Sequence, residues 1–97
     1  MKEHRYFVYL MTNLSNKVLY TGVTNNIELR TLTHRSRMAE GFTKRYHTNK
    51  LVYFEEFDQI SNAIAREKQI KSWSRTRKDE LVMSTNPEWN DLTDGVF

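Results

Sequence analysis

The chain contains no cysteine, only one proline and three glycines among its 97 residues. Without cysteine it has no disulfide bonds and no thiolate zinc sites, as expected in the reducing cytoplasm. No apolar run approaches the roughly 20 residues that a membrane-spanning helix needs. Residues 1–5 lead directly into a strand pattern and lack the apolar core of a signal peptide. We therefore predict a cytoplasmic location and no membrane partner.

Positive charge exceeds negative charge only slightly, with a net charge of +3 and a sequence pI of about 9.3. This excess alone is weak evidence for an anionic partner. The cations nevertheless fall into two groups along the chain. These groups favour a phosphate-binding surface, although two solvated helix faces would carry the same charges. The first group is Arg30, Arg35, Arg37, Lys44 and Arg45, and the second is Lys68, Lys71, Arg75, Arg77 and Lys78.

The apolar pattern predicts three strands, at residues 6–11, 17–22 and 51–57. Turn residues separate the first two strands, which predicts an antiparallel hairpin. Helices are predicted at residues 27–38, from a cap at Ser61 or Asn62 to residue 73, and at 77–83 after a cap at Thr76. The predicted fold is α+β with the order β-β-α-β-α-α, in which helices flank a small three-stranded antiparallel sheet.

The length suits one domain, which we assign to residues 1–84. Asn86-Pro87 is expected to end the last helix, because the residue before a proline is biased away from helix. Residues 85–97 are then predicted to form a C-terminal tail. Trp89 is expected to anchor part of this tail by packing.

Glu67 is the sharpest local signal for chemistry. With steps of about 100° per residue from Ile60, it falls near the centre of a stripe that includes Ala63, Ile64 and Ile70. A carboxylate on a core-facing stripe is costly unless a cation pairs with it or a metal binds it. The residues alone leave open whether Glu67 borders a cleft or forms a salt bridge with a nearby Lys or Arg.

Four further polar side chains have a spacing that suits a phosphate site. Arg30 and His34 are one helical turn apart, so both can contact one ligand. Arginine presents a planar fork of donors to phosphate oxygens, and histidine can transfer a proton. Tyr9 and Tyr20 lie on the two strands of the hairpin. An exposed polar helix face and ordinary cross-strand packing remain the alternatives for these two pairs.

Phe7-Val8-Tyr9 and Tyr20-Thr21-Gly22, on the two strands of the hairpin, resemble the paired GIY and YIG signatures of the GIY-YIG nuclease family. Arg30 matches the family's helix arginine, and His34 follows in its usual position. Residues 65–73 match the helix that carries the family's metal-binding glutamate. The resemblance covers roughly residues 5–92. It is greatest to the small single-domain bacterial members, and the chain is also similar to the N-terminal nuclease domain of the excision-repair excinuclease.

The resemblance implies a phosphodiesterase mechanism. Glu67 would bind one Mg²⁺ or Mn²⁺ ion, and Arg30 would stabilise the negative charge of the transition state. Tyr9 or Tyr20 would orient the attacking water or accept its proton, with His34 assisting. Gly22 would give room for backbone to pass the substrate. Contacts to nucleic acid are expected from Lys44 and Arg45 in the basic loop of residues 42–46, and from Lys71 and Arg75.

The sequence departs from the family pattern at several positions, which include Leu29 and Thr31 at the start of the arginine-bearing helix. Phe7 stands in place of the glycine of GIY, and Thr21 in place of the isoleucine of YIG. Val23 stands where some relatives have a lysine that could lower the pKa of a tyrosine. Which tyrosine acts as the general base is therefore left open.

We predict a metal-dependent endonuclease that hydrolyses phosphodiester bonds in DNA, with repair or recombination as its setting. The alternative is a nucleic-acid-binding module that has the nuclease fold but little or no cleavage activity. A third possibility is a structural or partner-binding domain in which the tyrosines and Glu67 are only packed residues. No small-molecule cofactor is expected, and the protein is expected to be a monomer or a weak homodimer.

Overall fold

The computed structural model describes residues 5–35 and 50–93, except for the side chains of residues 32–35. Within these ranges the chain forms three strands and three helices in the order β-β-α-β-α-α. The predicted α+β fold class and element order are confirmed. The elements are β1 (Tyr6–Thr12), β2 (Leu19–Thr24), α1 (Ile27–Arg35), β3 (Lys50–Phe57), α2 (Ile60–Lys71) and α3 (Arg75–Thr85).

The sheet has the strand order β2-β1-β3, and both pairings are antiparallel. In the central strand β1, Tyr9 lies opposite Gly22 of β2 and Phe54 of β3. The register between β1 and β3 shifts at Leu10 and Met11, which leaves Val52 as an extra residue in β3. Because β1 is covered on both faces, consecutive residues of this strand are buried rather than alternate ones.

Each face of the sheet has its own apolar core. On one face, Val8 and Leu10 of β1 pack with Ala63 and Ile70 of α2 and with Val82 of α3. On the opposite face, the buried residues are Phe7, Tyr9, Met11, Ile27 of α1 and Leu51. Tyr20 and Leu92 are partly buried against this second core. The two tyrosines of the candidate site therefore lie on the α1 side of the sheet.

Two predicted boundaries of the hairpin and of α3 are wrong by two residues. The second strand spans residues 19–24 instead of 17–22, since the Asn13 Oδ1 atom accepts hydrogen bonds from the backbone N–H groups of Lys17 and Val18 and keeps them in the turn. Helix α3 begins at Arg75 and not at residue 77, because Ser74 is the N-cap and its Oγ accepts from the Arg77 N–H at 3.2 Å.

The predicted cap of α2 is also wrong. The helix begins at Ile60 after Gln59, which makes no side-chain capping bond, so neither Ser61 nor Asn62 is the cap. The predicted end of α1, residues 36–38, lies outside the described residues.

Residues 86–93 pack along β3. Buried Asn86 donates through its Nδ2 atom to the Val52 and Asn90 carbonyls at 3.0 and 2.9 Å. The Leu92 N–H donates to the Leu51 carbonyl at 2.8 Å. Trp89 is partly buried against the α2 and α3 core. The domain boundary after residue 84 stays a prediction.

Candidate functional site

Tyr9 and Tyr20 form a close pair on the α1 face of the sheet. Tyr9 is only 1% exposed, and its ring lies over Gly22, its partner on β2. The ring centroids of the two tyrosines are 6.1 Å apart, and their side chains share a hydrogen bond. A Cβ atom on Gly22 would lie 2.5 Å from the Tyr9 hydroxyl oxygen. The glycine therefore makes room for the Tyr9 phenol, and its approach to a substrate stays a prediction.

The electrostatic surroundings of Tyr9 join it to two residues on the helices. Burial raises the pKa of Tyr9 well above its usual value, and the neighbouring Tyr20 and Glu67 raise the same pKa further. The positive charge of Arg30 opposes these effects only in part. Tyr9 is therefore protonated at neutral pH and acts as a hydrogen-bond donor. Three other residues predicted from the sequence, Tyr20, Arg30 and Glu67, thus interact with the Tyr9 phenol.

Arg30 is presented on the exposed flank of α1. Asn26 caps this helix, since its Oδ1 atom accepts from the Leu29 N–H at 3.0 Å. Ile27 and Thr31 are buried and fix the face of α1 that meets the sheet. Arg30, between them in sequence, is exposed and makes no ion pair within the described ranges. An exposed guanidinium that interacts with a phenol can bind an anion.

Glu67 lies at the margin of the buried stripe of α2. The fully buried residues are Ala63 and Ile70, whereas Ile64 is 38% exposed. The buried stripe is therefore rotated about the helix axis from the predicted one, and Glu67 lies at its edge instead of near its centre. The Glu67 side chain is 15% exposed and its Oε2 atom lies 3.2 Å from the Lys71 Nζ atom. The salt bridge considered as one alternative is present. The role of Glu67 in metal binding stays a prediction.

The donors near Tyr9 fit a weakly held divalent ion better than a caged one. Among the described side chains, those of residues 5–31 and 50–93, no group of three or more His, Asp or Glu residues is arranged to hold a metal. Glu67 offers a carboxylate that is mostly withdrawn from water and has an exposed lysine as its partner. Mg²⁺ commonly keeps several waters and is held by one or two carboxylates with substrate phosphate oxygens. A single Mg²⁺ or Mn²⁺ at Glu67 is compatible with this donor set.

The other predicted site residues are placed less completely. His34 lies on α1, one turn after Arg30, but its side chain is outside the described residues. Lys44 and Arg45 also lie outside the described residues. Lys71 is exposed beside Glu67, on the same helix. Of the predicted nucleic-acid contacts, only Lys71 is therefore shown near the site.

Arg75 is engaged in contacts within the protein. Its Nη1 and Nη2 atoms donate to the backbone carbonyls of Lys17 and Asn16, the first at 2.6 Å. Its Nε atom donates to the Asp79 carboxylate at 2.7 Å, and its guanidinium lies 5.9 Å from the Trp89 ring centroid. These bonds join the β1–β2 turn to α3, and they leave few donors for a phosphate.

Sequence reasoning missed a polar network on the α2 side of the sheet. Arg66 binds both carboxylate oxygens of Glu55, and the Tyr53 hydroxyl donates to Glu55 at 2.5 Å. Burial opposes ionisation of Glu55, but the bonds from Arg66 and Tyr53 outweigh it and hold its pKa below the usual value. The guanidinium groups of Arg66 and Arg77 lie 5.1 and 4.1 Å from the Trp73 ring centroid. Tyr53 and Glu55 are two residues apart on β3, a spacing that places both on one face.

A three-stranded antiparallel sheet flanked by helices in the order β-β-α-β-α-α defines a small α+β domain. The GIY-YIG catalytic domain matches residues 5–80, and the chain belongs to this family. GIY-YIG proteins are nucleases and generally depend on divalent metal ions.

The similar proteins include bacterial and archaeal ones. The chain is 42% identical to a UPF0213 protein of Syntrophus aciditrophicus over 83 residues, which cover 84% of this chain and 93% of that protein. It is 38% identical to a UPF0213 protein of Natronomonas pharaonis over 77 residues, covering 79% and 89% of the two chains. The solution structure of a UPF0213 protein from Bacillus halodurans has the same fold, with a TM-score of 0.58, 24% identity, and coverage of 93% of this chain and 95% of that chain. Within the described part of the chain, no helix is both long and apolar enough to span a membrane.

Proposed function

We propose that the protein is a metal-dependent endonuclease that hydrolyses phosphodiester bonds in DNA. The observation that carries this proposal is the arrangement around Tyr9, which is hydrogen-bonded to Tyr20 and interacts electrostatically with both Arg30 and Glu67. A phosphodiester needs a cation for its oxygens, a group that orients water and a ligand for a metal ion. Residues from β1, β2, α1 and α2 supply these three functions around one phenol.

The two tyrosines have different roles in this proposal. Tyr9 is buried and protonated, so its hydroxyl donates a hydrogen bond and holds the Tyr20 hydroxyl in place. Tyr20 is only partly buried, on the edge strand β2, and is the phenol that a substrate can reach. Tyr20 orients the water that attacks phosphorus. The new P–O bond forms as the bridging P–O bond breaks, and the proton released by the water passes to the leaving oxygen. His34, one turn from Arg30, assists at the same site.

Arg30 binds the scissile phosphate. Its exposed guanidinium matches the geometry of two phosphate oxygens and stabilises the extra negative charge of the transition state. A divalent ion held by Glu67 would neutralise charge on the phosphate and on the leaving oxygen. Glu67 and Lys71 would separate when the ion binds, because both cations need the same carboxylate oxygens.

The substrate is extended along the basic residues near the site. Lys71 is proposed to contact a neighbouring phosphate, and Lys44 and Arg45 are proposed to do the same from the predicted basic loop of residues 42–46. Arg75 is proposed to contribute less to substrate binding than the other basic residues, since its donors form hydrogen bonds within the protein. We further propose that the substrate is DNA and that the protein acts in repair or recombination. It is expected to be cytoplasmic and to be a monomer or a weak homodimer.

One observation favours the second candidate function, a binding module that does not cut. The Glu67 carboxylate already has a cationic partner in Lys71, so the fold can tolerate this partly buried group without a metal. Such a module would bind nucleic acid through Arg30 and the lysines. Its affinity would not change with Mg²⁺ or with the loss of Glu67.

Cleavage of labelled linear, nicked, flapped and branched DNA separates the two functions. The wild type is compared with Glu67→Gln in Mg²⁺ and Mn²⁺, and Glu80→Gln, at an exposed position of α3, is the control. Products that require metal, disappear in Glu67→Gln and persist in Glu80→Gln support the nuclease. Salt-sensitive binding without cleavage by any of the three proteins supports the binding module.

A further inference from the structure

We propose that the ion pair between Glu55 and Arg66 is a positioning device that directs Glu67 toward the candidate site. Arg66 precedes Glu67 in α2, and its partner Glu55 belongs to β3. The inference rests on the proposed function, because it assigns these two residues a role in metal binding that they exert through Glu67.

The contact between Arg66 and Glu55 has a defined geometry. The Arg66 Nε atom lies 2.9 and 3.2 Å from the two carboxylate oxygens, and its Nη2 atom lies 2.9 Å from Oε2. The remaining Nη1 atom donates to the Gln69 Oε1 atom at 2.7 Å, and the Tyr53 hydroxyl holds Glu55 from the strand side. A bidentate pair fixes orientation as well as distance, which a single point contact does not.

The rotation of α2 about its axis is set weakly by apolar packing. Only Ala63 and Ile70 are fully buried on this helix, and alanine presents one methyl group to the sheet. Ile60 and Ile64 are 44% and 38% exposed. A helix held by so narrow an apolar stripe needs a polar contact to fix which flank meets the sheet.

Arg66 and Glu67 project from opposite flanks of that stripe. At about 100° per residue, the direction of Ala63 and Ile70 falls between those of Arg66 and Glu67. A rotation that brings Arg66 to Glu55 therefore turns Glu67 to the other flank, where it interacts with Tyr9. Trp73, just after the end of α2, packs against the Arg66 guanidinium and limits its movement. The ion pair on β3 thus determines where the Glu67 carboxylate lies.

Binding of Mn²⁺ to the DNA-free protein tests this role. Paramagnetic broadening of the Glu67 amide signal gives the dissociation constant, and thermal unfolding gives the stability of each variant. Glu55→Gln is compared with Glu56→Gln, because Glu56 is the next residue of β3 and pairs with Arg5 at an exposed position. We expect Mn²⁺ affinity to fall about tenfold in Glu55→Gln, as for other groups that orient a metal ligand, and to be unchanged in Glu56→Gln.

Arg66→Met and Arg66→Lys provide a second comparison should Glu55→Gln not fold. Lysine retains the positive charge but lacks the planar, bidentate donors of the guanidinium. Arg66→Lys should therefore recover only part of the Mn²⁺ affinity that Arg66→Met loses. Equal Mn²⁺ affinity in the wild type and in the folded variants at Glu55 and Arg66, with only a lower Tm in those variants, would overturn the positioning role and leave the proposed function intact. A wild type that binds no Mn²⁺, or binds it as well after Glu67→Gln, would overturn both.

Discussion

The Tyr9 hydroxyl oxygen occupies the space beside Gly22 in which a side chain would stand, 2.5 Å from the Cβ position of that residue. The two residues are register partners on β1 and β2. The candidate site is therefore built across a strand pair, in which one residue supplies the phenol and the other leaves room for it. Any side chain at residue 22 displaces Tyr9, Tyr20 or both.

Gly22→Ala should lower both stability and activity. Alanine is better than glycine in the interior of a strand, so without a steric conflict the substitution would stabilise the protein. The contact with the buried Tyr9 phenol reverses the sign, and we expect a loss of about 1–3 kcal/mol in the free energy of unfolding. Urea unfolding of Gly22→Ala, Tyr9→Leu and the double variant measures the coupling. Additive effects would contradict the conflict between the two residues.

The buried phenol of Tyr9 should make stability depend on alkaline pH. Its pKa is raised in the folded state and lies near 10 in the unfolded chain, so the unfolded state loses its proton first. The stabilisation is complete below about pH 10 and declines as the pH rises above it. Thermal unfolding between about pH 8 and 11.5 should show a steeper decline for the wild type than for Tyr9→Phe.

Tyr53 provides an independent check of this pH dependence. Burial and the hydrogen bond to Glu55 raise the pKa of its phenol in the folded state as well. Tyr53→Phe should therefore also flatten the alkaline decline, although Tyr53 lies in the other core. A wild-type slope in both variants would mean that neither phenol is held neutral by the fold.

Local patterns were sufficient to predict the order of the six elements. The apolar and aromatic runs of β1 and β3 distinguish them from the helices, and the capping residue Asn26 marks the start of α1. Tyr9, Tyr20, Arg30 and Glu67 were predicted as site residues because each lies in a segment that resembles a family signature, and their roles stay predictions. Their mutual interactions were then expected from the order of the elements.

The contacts that sequence reasoning missed join distant positions. Arg75 donates to carbonyl groups of the β1–β2 turn, 58 and 59 residues earlier, and no side-chain pattern identifies a backbone acceptor. The pairing of Arg66 with Glu55 depends on how α2 is rotated against β3. The role of Gly22 depends on the strand register. These relationships follow from tertiary packing, which the local spacing of residue types does not determine.

Arg75→Met should destabilise the protein and should change the ionic component of DNA binding only slightly. The substitution removes three hydrogen bonds, two of them to backbone carbonyls of the turn, and should cost about 1–3 kcal/mol in the free energy of unfolding. Asp79→Asn, which affects only the exposed pair, should cost less. If Arg75→Met instead lowers the dependence of log K on log salt concentration by about one, Arg75 contacts a phosphate directly.

Lys71→Met should have opposite effects on the binding of metal and DNA. Removing the ammonium group frees the Glu67 carboxylate, so Mn²⁺ affinity of the DNA-free protein should rise, by on the order of twofold for a pair with one exposed partner. DNA affinity should fall and its salt dependence should become shallower by about one, because one phosphate contact is lost. Lys68→Met is the matched control, since Lys68 is exposed on the same helix and forms no ion pair within the described residues. The control should leave Mn²⁺ affinity unchanged. If both variants reduce DNA binding equally and neither alters Mn²⁺ affinity, Lys71 acts only as a surface charge and does not compete with the metal for Glu67.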